Sequence, residues 1–266
     1  MSMDVIPKKS LGQHWLHDEP TLAAICDSVA VSAGDNVLEV GPGLGTLTRQ
    51  LLSRGAHVTA VEFDETLAEK LSKTILEDSP LDGNLTVVQS DILKFDLGAL
   101  PAGYKVVANI PYYLTSNLIR VLCESANPFS QAAILIQKEV AERVAAKPGS
   151  MSILSVSAQF YCEVSLGVEV PAKLFTPPPK VDSQVLVLKY RTQPLFEGID
   201  RKQFFRLVKA GFSQKRKTLV NSLSGGLAIP KDQTRAMLAV TNIPESTRAQ
   251  ALPLEDWHKL YLAWHR

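Results

Sequence analysis

Five consecutive residues, Asn109-Ile110-Pro111-Tyr112-Tyr113, carry the clearest chemical signal in the sequence. These residue types suit the chemistry of an exocyclic amine such as adenine N6. That nitrogen is a poor nucleophile because its lone pair is delocalised into the ring, so a catalyst has to accept hydrogen bonds from its N–H groups. The side-chain oxygen of Asn109 and the carbonyl oxygen of Ile110 are suitable acceptors. Pro111 fixes the backbone, and Tyr112 can stack on a base held out of its strand. The segment predicts amine chemistry without a shifted general base, although it also fits a plain strand-to-loop turn.

A glycine-rich segment, Glu39-Val40-Gly41-Pro42-Gly43-Leu44-Gly45, stands where a predicted strand meets a predicted helix. Small residues there let the backbone approach a ligand closely. The spacing is GxGxG, with an acidic residue two positions before the first glycine, and it differs from the GxGxxG that wraps a dinucleotide pyrophosphate. The pattern favours S-adenosylmethionine over NAD as the cofactor. A tight turn alone would use the same glycines.

Two acidic residues stand at the ends of the next two predicted strands, Glu62 as the last residue of one and Asp91 just after the other. Glu62 stands 21 residues after Gly41, where a carboxylate can accept hydrogen bonds from both ribose hydroxyls. Asp91 can accept a hydrogen bond from an adenine amino group, and Ile92 can pack on the adenine ring. A lone Asp after a strand is more often a helix cap. The order of these residues along the chain predicts a nucleotide cofactor site.

The elements that must position these residues alternate between short β-rich runs and helical stretches. Strands are predicted at 36–40, 57–62, 85–89, 105–109 and 132–137, with helices at 44–55 and 64–79. This alternation is the βαβ pattern of a parallel sheet. Two later apolar runs, at 155–170 and 183–190, have no long helix between them, and we expect them to pair antiparallel at the end of the sheet.

Beyond Arg191 the pattern changes to helices punctuated by Pro and Gly. We therefore expect two domains: residues 1–194, which bind the cofactor and carry out catalysis, and residues 195–266, which form a small helical domain that binds RNA or the ribosome. Charge is distributed unevenly, since the formal net charge is +1 overall, −6 from Glu62 to Leu100 and +8 from Lys173 to Asn221. The basic region is typical of a surface that faces a polyanion.

The composition of the chain, 45% apolar over 266 residues, is that of a globular protein. No apolar run is long enough to span a membrane, and the first residues lack a signal peptide, so we expect a cytoplasmic location. Cys26, Cys123 and Cys162 lack metal-ligand spacing, and we interpret them as small buried apolar residues.

These motifs identify a resemblance to the ribosomal RNA adenine dimethyltransferase family, which runs from about Lys8 to Asn221. Besides the Glu62 and Asp91 positions, it rests on the segments KKSLGQHWL, EVGPGLGTLT, NIPYYLTS, QKEVAERV, VPAKLFTPPPKVDS and FSQKRKTLVNSL. The resemblance implies a Rossmann-like class I methyltransferase sheet, mostly parallel with an antiparallel last strand. It also implies S-adenosylmethionine as methyl donor, S-adenosylhomocysteine as product, and no metal. The implied substrate is a pair of adjacent adenosines in small-subunit ribosomal RNA within an assembling 30S subunit, and the implied product is N6,N6-dimethyladenosine.

The resemblance also implies roles for single residues. Those expected around the cofactor are Gln13, His14, Leu16, Gly41, Gly43, Glu62, Asp91, Ile92 and Asn109, and those expected at the target base are Asn109, Pro111, Tyr112 and Phe175. Phe175 would close the target pocket opposite Tyr112, or else it belongs to the core. Candidate phosphate contacts are Lys8, Lys9, Lys180, Lys215, Arg216 and Lys217, although a basic run is often only a solvated face. We expect the protein to act as a monomer.

Two positions depart from the family pattern. The family usually has Phe where this chain has Trp15, and it usually carries a slightly longer loop where this chain has residues 147–152. An aromatic ring is kept at position 15, while the short loop has less reach over an RNA cleft.

Three alternatives fit part of the sequence. The sister branch that methylates large-subunit ribosomal RNA shares the cofactor loop and an NIPY-type motif, but the LFTPPPKVDS and FSQKRKTLVN segments favour the small-subunit branch. An NAD-dependent dehydrogenase would share the glycine loop and Glu62 but lacks GxGxxG. A non-catalytic assembly factor would predict a broken glycine loop or NIPY segment, and both are intact.

Overall fold

A computed structural model describes residues 7–8, 11–77 and 83–265 of the chain. It divides into two compact units. The first is formed by Met1–Ala141 and Cys162–Tyr190, and the second by Glu142–Tyr161 and Arg191–Arg266. The single boundary expected near residue 194 therefore misses a segment, 142–161, that belongs with the C-terminal helices. The catalytic and RNA-binding roles assigned to the two parts remain predictions.

The first unit is built from alternating strands and helices. Its strands are β1 (Trp15–Leu16), β2 (Asn36–Val40), β3 (His57–Glu62), β4 (Leu85–Gln89), β5 (Lys105–Asn109), β6 (Gln131–Gln137), β7 (Cys162–Val170), β8 (Phe175–Thr176) and β9 (Ser183–Tyr190). Its helices are α1 (Glu19–Asp27), α2 (Thr46–Leu52), α3 (Glu65–Glu77) and α4 (Thr115–Glu124), and α5 (Lys138–Val144) runs on into the second unit. Strands β2 to β6 are those predicted from the sequence, with one residue added at the start of β6.

The main sheet has the strand order β4-β3-β2-β5-β6-β9-β7. Strands β2 to β6 pair in parallel, whereas β9 pairs antiparallel with both β6 and β7. This confirms the mostly parallel sheet with an antiparallel end. Because the chain runs outward in opposite directions from β2, a crevice opens at the carboxyl ends of β2 and β5, where open α/β sheets bind ligands.

Apolar strands and helix faces hold this crevice in place. Val37, Leu38 and Val40 of β2 are buried, as expected for a parallel strand covered on both faces. Gly45 is the N-cap residue just before α2 and has a left-handed φ of 78°. A Cβ atom at this glycine would lie 2.6 Å from Cδ1 of Leu71 in α3. A residue without a side chain is therefore needed where the glycine loop turns into α2.

Strands β1 and β8 form a separate two-stranded sheet, with Trp15 opposite Thr176 and Leu16 opposite Phe175. The pairing brings the N-terminal segment beside residues far along the chain. The side-chain hydroxyl of Thr46, the first residue of α2, donates to the carbonyl of Leu16 at 2.9 Å. Strand β1 is thereby held next to the glycine loop.

The second unit is helical and contains α6 (Ile153–Tyr161), α7 (Arg201–Phe212), α8 (Leu219–Leu227), α9 (Lys231–Val240) and α10 (Leu254–Trp264). The prediction of extended structure across 155–161 is wrong, since these residues form α6. The ring centroids of Phe160 and Phe204 lie 5.0 Å apart, and those of Tyr161 and Phe205 lie 6.0 Å apart. Buried helices and buried strands are both continuously apolar, so hydrophobic periodicity does not separate them.

All three cysteines are buried and unbridged, and the Sγ atoms of Cys123 and Cys162 lie 3.9 Å apart. Burial raises the pKa of the Cys26 thiol to about 12. Among the described residues, no three His, Cys, Asp or Glu side chains converge as a metal site. In the same part of the chain, no helix is long and apolar enough to cross a membrane.

Candidate active site

A cavity of about 290 Å³ lies in the crevice at the carboxyl ends of β2, β3 and β5. This is near the lower end of the range for small-molecule sites. It brings together the residues predicted for the cofactor and target, namely Gln13, His14, Leu16, Gly41, Gly43, Glu62, Asp91, Ile92, Asn109, Pro111, Tyr112 and Phe175. All of them belong to the first unit. The structure thus places them around one space, while the role of each remains a prediction.

Glu62 is positioned by backbone donors at the end of β3. Its Oε2 accepts a hydrogen bond from the Gly43 amide at 3.1 Å, and its Oε1 accepts one from the Asp64 amide at 2.8 Å. Burial raises the pKa of the Glu62 carboxyl, the two amides lower it, and the charge of Asp64 raises it. The carboxylate is therefore fixed in orientation against the glycine loop, as a ribose-binding group must be.

Glu39 is a site residue that the sequence analysis left out of its predicted set. Its side chain is 1% exposed and lines the cavity, and neither carboxylate oxygen has a hydrogen-bond partner among the described residues. Burial raises the pKa of Glu39 to about 8; the nearby Thr48 hydroxyl lowers it, and the charge of Glu62 raises it. A buried carboxyl without a donor is costly, so this group fits a ligand that brings a cationic donor. The acidic position before the glycines was the available signal.

Asp91 and Ile92 form another part of the cavity wall. Oδ1 of Asp91 accepts a hydrogen bond from the Leu93 amide at 3.0 Å. Residues 92–94 form a turn, so this contact closes a turn and does not cap a helix. The Asp91 side chain also lines the cavity. Ile92 is buried beside it, and Phe63, another residue missing from the predicted set, lines the same cavity with 58% of its surface exposed.

Asn109 ends β5, and its amide is oriented by a contact from the N-terminal segment. Its Nδ2 donates to the carbonyl of His14 at 3.4 Å. This assignment leaves Oδ1 as the acceptor of the side chain. A Cβ atom on Gly41 would lie 3.7 Å from the Asn109 carbonyl oxygen, so the end of β5 and the glycine loop are adjacent. The geometry agrees with an amide oxygen held for an incoming N–H donor.

Tyr112 is held by contacts on two sides. Its hydroxyl lies 2.8 Å from Oγ of Ser183, and its ring stacks on the His14 ring at a centroid distance of 5.9 Å. Nδ1 of His14 lies 2.7 Å from the Pro177 carbonyl, so this nitrogen carries the proton. Phe175 lines the cavity but is only 3% exposed and belongs to the hydrophobic core. Phe175 thus lies both in the core and at the cavity wall, and its role opposite Tyr112 remains a prediction.

Lys8 links the N-terminal segment to the residues that follow β3. The Lys8 amide donates to Oε1 of Gln13 at 2.8 Å, and the Lys8 ammonium lies 2.7 Å from Oδ2 of Asp64. Lys8, a candidate phosphate contact, thus already has an anionic partner. Trp15 lines the cavity, and its Nε1 lies 3.4 Å from where a Cβ on Gly43 would stand. Its indole keeps an aromatic contact with the glycine loop.

The other candidate phosphate contacts lie on surfaces. Lys180 is exposed between β8 and β9 of the first unit. Lys215, Arg216 and Lys217 are exposed in the turn before α8 of the second unit. Lys9 lies outside the described residues.

The short loop at 147–152 is bonded within the second unit. The amides of Gly149 and Met151 both donate to the carbonyl of Gln250, at 2.9 and 3.1 Å. The loop is therefore anchored by its backbone.

The strand order, the glycine loop and the acidic residues at the ends of β3 and β4 define a class I methyltransferase. Two solved structures share the fold over nearly the whole chain. The 23S rRNA methyltransferase ErmE is 28% identical with a TM-score of 0.73, covering 95% of this chain and 100% of its own. A dimethyladenosine transferase from Plasmodium falciparum is 25% identical with a TM-score of 0.77, covering 95% and 98%.

The family model for ribosomal RNA adenine dimethylase matches residues 7–265. Two curated relatives carry the name ribosomal RNA small subunit methyltransferase A. The one from Dehalococcoides mccartyi (strain CBDB1) is 38% identical, covering 97% of this chain and 88% of its own. The one from Shouchella clausii (strain KSM-K16) is 41% identical, covering 95% and 88%. The chain belongs to the ribosomal RNA adenine dimethylase family, which confirms the predicted family, enzyme class and fold and implies S-adenosylmethionine as the methyl donor.

Proposed function

We propose that the enzyme transfers methyl groups from S-adenosylmethionine to N6 of two adjacent adenosines near the 3′ end of small-subunit (16S) ribosomal RNA, giving N6,N6-dimethyladenosine. The observation that carries the proposal is the Asn109 amide beside the glycine loop, with its donor turned to His14. The small-subunit relatives are 38–41% identical to this chain, whereas ErmE is 28% identical. That difference favours the small subunit over the large.

The polar groups of the cavity fit the parts of S-adenosylmethionine. Glu62 suits the ribose hydroxyls and Asp91 the adenine amino group, and the unpartnered Glu39 carboxylate suits the ammonium of the methionine part. Gln13, His14 and Leu16 lie on the wall beside the glycine loop. When bound, the cofactor supplies an electrophilic methyl group on a sulfonium.

The residues after β5 handle the target amine. Oδ1 of Asn109 and the carbonyl oxygen of Ile110 accept hydrogen bonds from its N–H groups. These hydrogen bonds favour a pyramidal nitrogen with an available lone pair. Tyr112, fixed by Ser183 and His14, stacks on the extruded adenine. Catalysis in this scheme comes from orientation and hydrogen-bond acceptance, without a side chain that must change its protonation state.

The proposed partner is ribosomal RNA within an assembling small subunit. We propose that the enzyme binds it as a monomer in the cytoplasm. Support comes from the exposed cations Lys180, Lys215, Arg216 and Lys217. Such residues bind phosphates without reading sequence, so they would position the RNA, and the cavity would select the base.

Methyl transfer from radiolabelled S-adenosylmethionine to three substrates tests the proposal: unmethylated small subunits, large-subunit ribosomal RNA and free adenosine. We expect label only in the small subunit, recovered as dimethyladenosine after nucleoside analysis. Label in large-subunit RNA would assign the enzyme to the sister branch that methylates large-subunit ribosomal RNA. Cofactor binding without transfer to any substrate would favour a non-catalytic assembly factor.

A further inference from the structure

Two consecutive tyrosines follow β5, and their surroundings differ. Tyr112 is half-buried, stacked on His14 and bonded to Ser183. The Tyr113 side chain is 66% exposed, although the residue lines the same cavity. Among the described residues, the Tyr113 hydroxyl has no hydrogen-bond partner that would explain its position. One tyrosine thus belongs to the wall of the site, and the other stands at its rim.

The position of Tyr113 is fixed by the backbone around it. The turn is closed by a hydrogen bond from the Leu114 amide to the Pro111 carbonyl at 3.0 Å. Gly12 packs against this turn with a left-handed φ of 61°. A Cβ at Gly12 would lie 3.6 Å from Cβ of Pro111 and 3.7 Å from Cε1 of Tyr113. The ring is therefore held beside the N-terminal segment, with most of its surface open to solvent.

A rigid aromatic ring at this place suits a second nucleobase. When one base is extruded into a pocket, its neighbour in the strand loses a stacking partner on one side. Aromatic side chains can replace such a partner, and they do so for any base because every base has a π-face. Core packing does not explain a tyrosine that is two-thirds exposed. Because Tyr113 also lines the cavity, its open ring is available to the nucleotide next to an extruded base.

We propose that Tyr113 is a stacking surface for the nucleobase next to the target adenosine. The inference rests on the proposed function, because it takes RNA as the substrate and the cavity as the site of the extruded base. If the two target adenosines are adjacent, each is the neighbour of the other during its own methylation. Tyr113 would then help the enzyme select a pair of unpaired purines rather than a single adenosine.

Kinetics with unmethylated small subunits give the first test. We expect Tyr113→Ala to raise KM for the subunit about tenfold, the change that loss of one base stack produces, with kcat nearly unchanged. Tyr113→Phe should keep the wild-type KM, since the ring face is what stacks. Leu166→Ala, which removes an exposed side chain from β7 of the same unit, is the matched control.

An unchanged KM in Tyr113→Ala, or an equal rise of KM in Tyr113→Phe, would overturn the proposal. Calorimetric affinity for S-adenosylmethionine should be the same in all variants.

A binding measurement separates this inference from the proposed function. The probe is an RNA hairpin whose loop carries two adjacent adenosines, one replaced by the fluorescent analogue 2-aminopurine. Wild-type protein and Tyr113→Phe should quench the probe on binding, and Tyr113→Ala should leave it bright. Unchanged emission with wild-type protein contradicts the stacking role. Tyr113-dependent quenching without methyl transfer to small subunits would refute the proposed function and retain the stacking surface.

Discussion

Asn109 and Glu62 are expected to serve different steps at the scale of single residues. Asn109→Ala should lower methyl transfer by at least about 10²-fold while the cofactor still binds, because the lost oxygen accepts from the target amine. Glu62→Ala should first raise the Kd of S-adenosylmethionine, by roughly tenfold or more, since hydrogen bonds to a carboxylate are among the stronger ones. Calorimetry and single-turnover transfer, measured on both variants, separate the two effects. Equal loss of cofactor affinity in both variants would contradict the division of roles.

Glu39 should make the folded state sensitive to pH. Its pKa is about 8 in the folded chain, against an ordinary value of 4.5. The neutral Glu39 carboxyl contributes its full stabilisation at pH values below the pKa that the group has in the unfolded chain. This stabilisation is lost as pH rises through the higher pKa of the group in the folded chain, because the unfolded chain loses the proton at lower pH. Glu39→Gln keeps a neutral side chain. Its Tm relative to wild type should therefore increase between about pH 5 and about pH 8.5.

Thermal unfolding across that pH range checks the prediction. Glu69→Gln is the matched control, because it makes the same chemical change at an exposed site on α3. A Tm difference that stays constant with pH for Glu39→Gln would mean that the carboxyl is not protonated in the folded chain.

At the scale of elements, the sequence predicts what is locally encoded. Strands β2 to β6 were predicted because short apolar runs alternate with helical periodicity. Residues 155–161 were predicted wrongly because an all-apolar run fits a buried helix as well as a strand. Strands β1 and β8 have two residues each, and their existence depends on pairing between Trp15 and Thr176, which no local pattern encodes.

The same reasoning applies to the site. Residue types and spacing predicted which side chains line the cavity, since strand ends meet at one edge of a parallel sheet. They did not predict that Glu39 lacks a partner or that Lys8 pairs with Asp64, because both facts depend on side-chain geometry between distant segments.

The basic turn before α8 is expected to contact RNA phosphates. Replacing Lys215, Arg216 and Lys217 together with Ser should weaken RNA binding and flatten the dependence of log Kd on log salt by up to ~3 units. The matched control replaces three surface cations that already face carboxylates, Arg120, Arg235 and Lys259. Fluorescence anisotropy at several salt concentrations measures the slope. The same slope in the triple variant and wild type would make the turn a solvated surface only.

At the scale of the whole molecule, the chain leaves the first unit after Ala141 and returns at Cys162. All cavity residues belong to the first unit. A fragment that ends at Tyr190, with 142–161 replaced by a Gly/Ser linker, should therefore bind S-adenosylmethionine about as well as the full chain does. The same fragment with 142–161 retained should aggregate, since Phe160 and Tyr161 would lose the aromatic rings of α7.

Size-exclusion chromatography and calorimetry of the two fragments test this expectation. Loss of cofactor binding in the linker fragment would show that the cavity depends on the second unit. A monodisperse fragment with 142–161 retained would show that α6 does not need α7 to stay in solution.

The excursion through 142–161 also sets an order of events on the ribosome. During translation, α6 is made between strands β6 and β7 of the main sheet. The later helices of the second unit, which pack against α6, are translated only after Arg191. For the time needed to translate α7, the apolar residues of α6 lack the aromatic rings that they contact in the second unit. We therefore expect the yield of active enzyme to depend on the length of this interval, and so on chaperones and on the rate of translation.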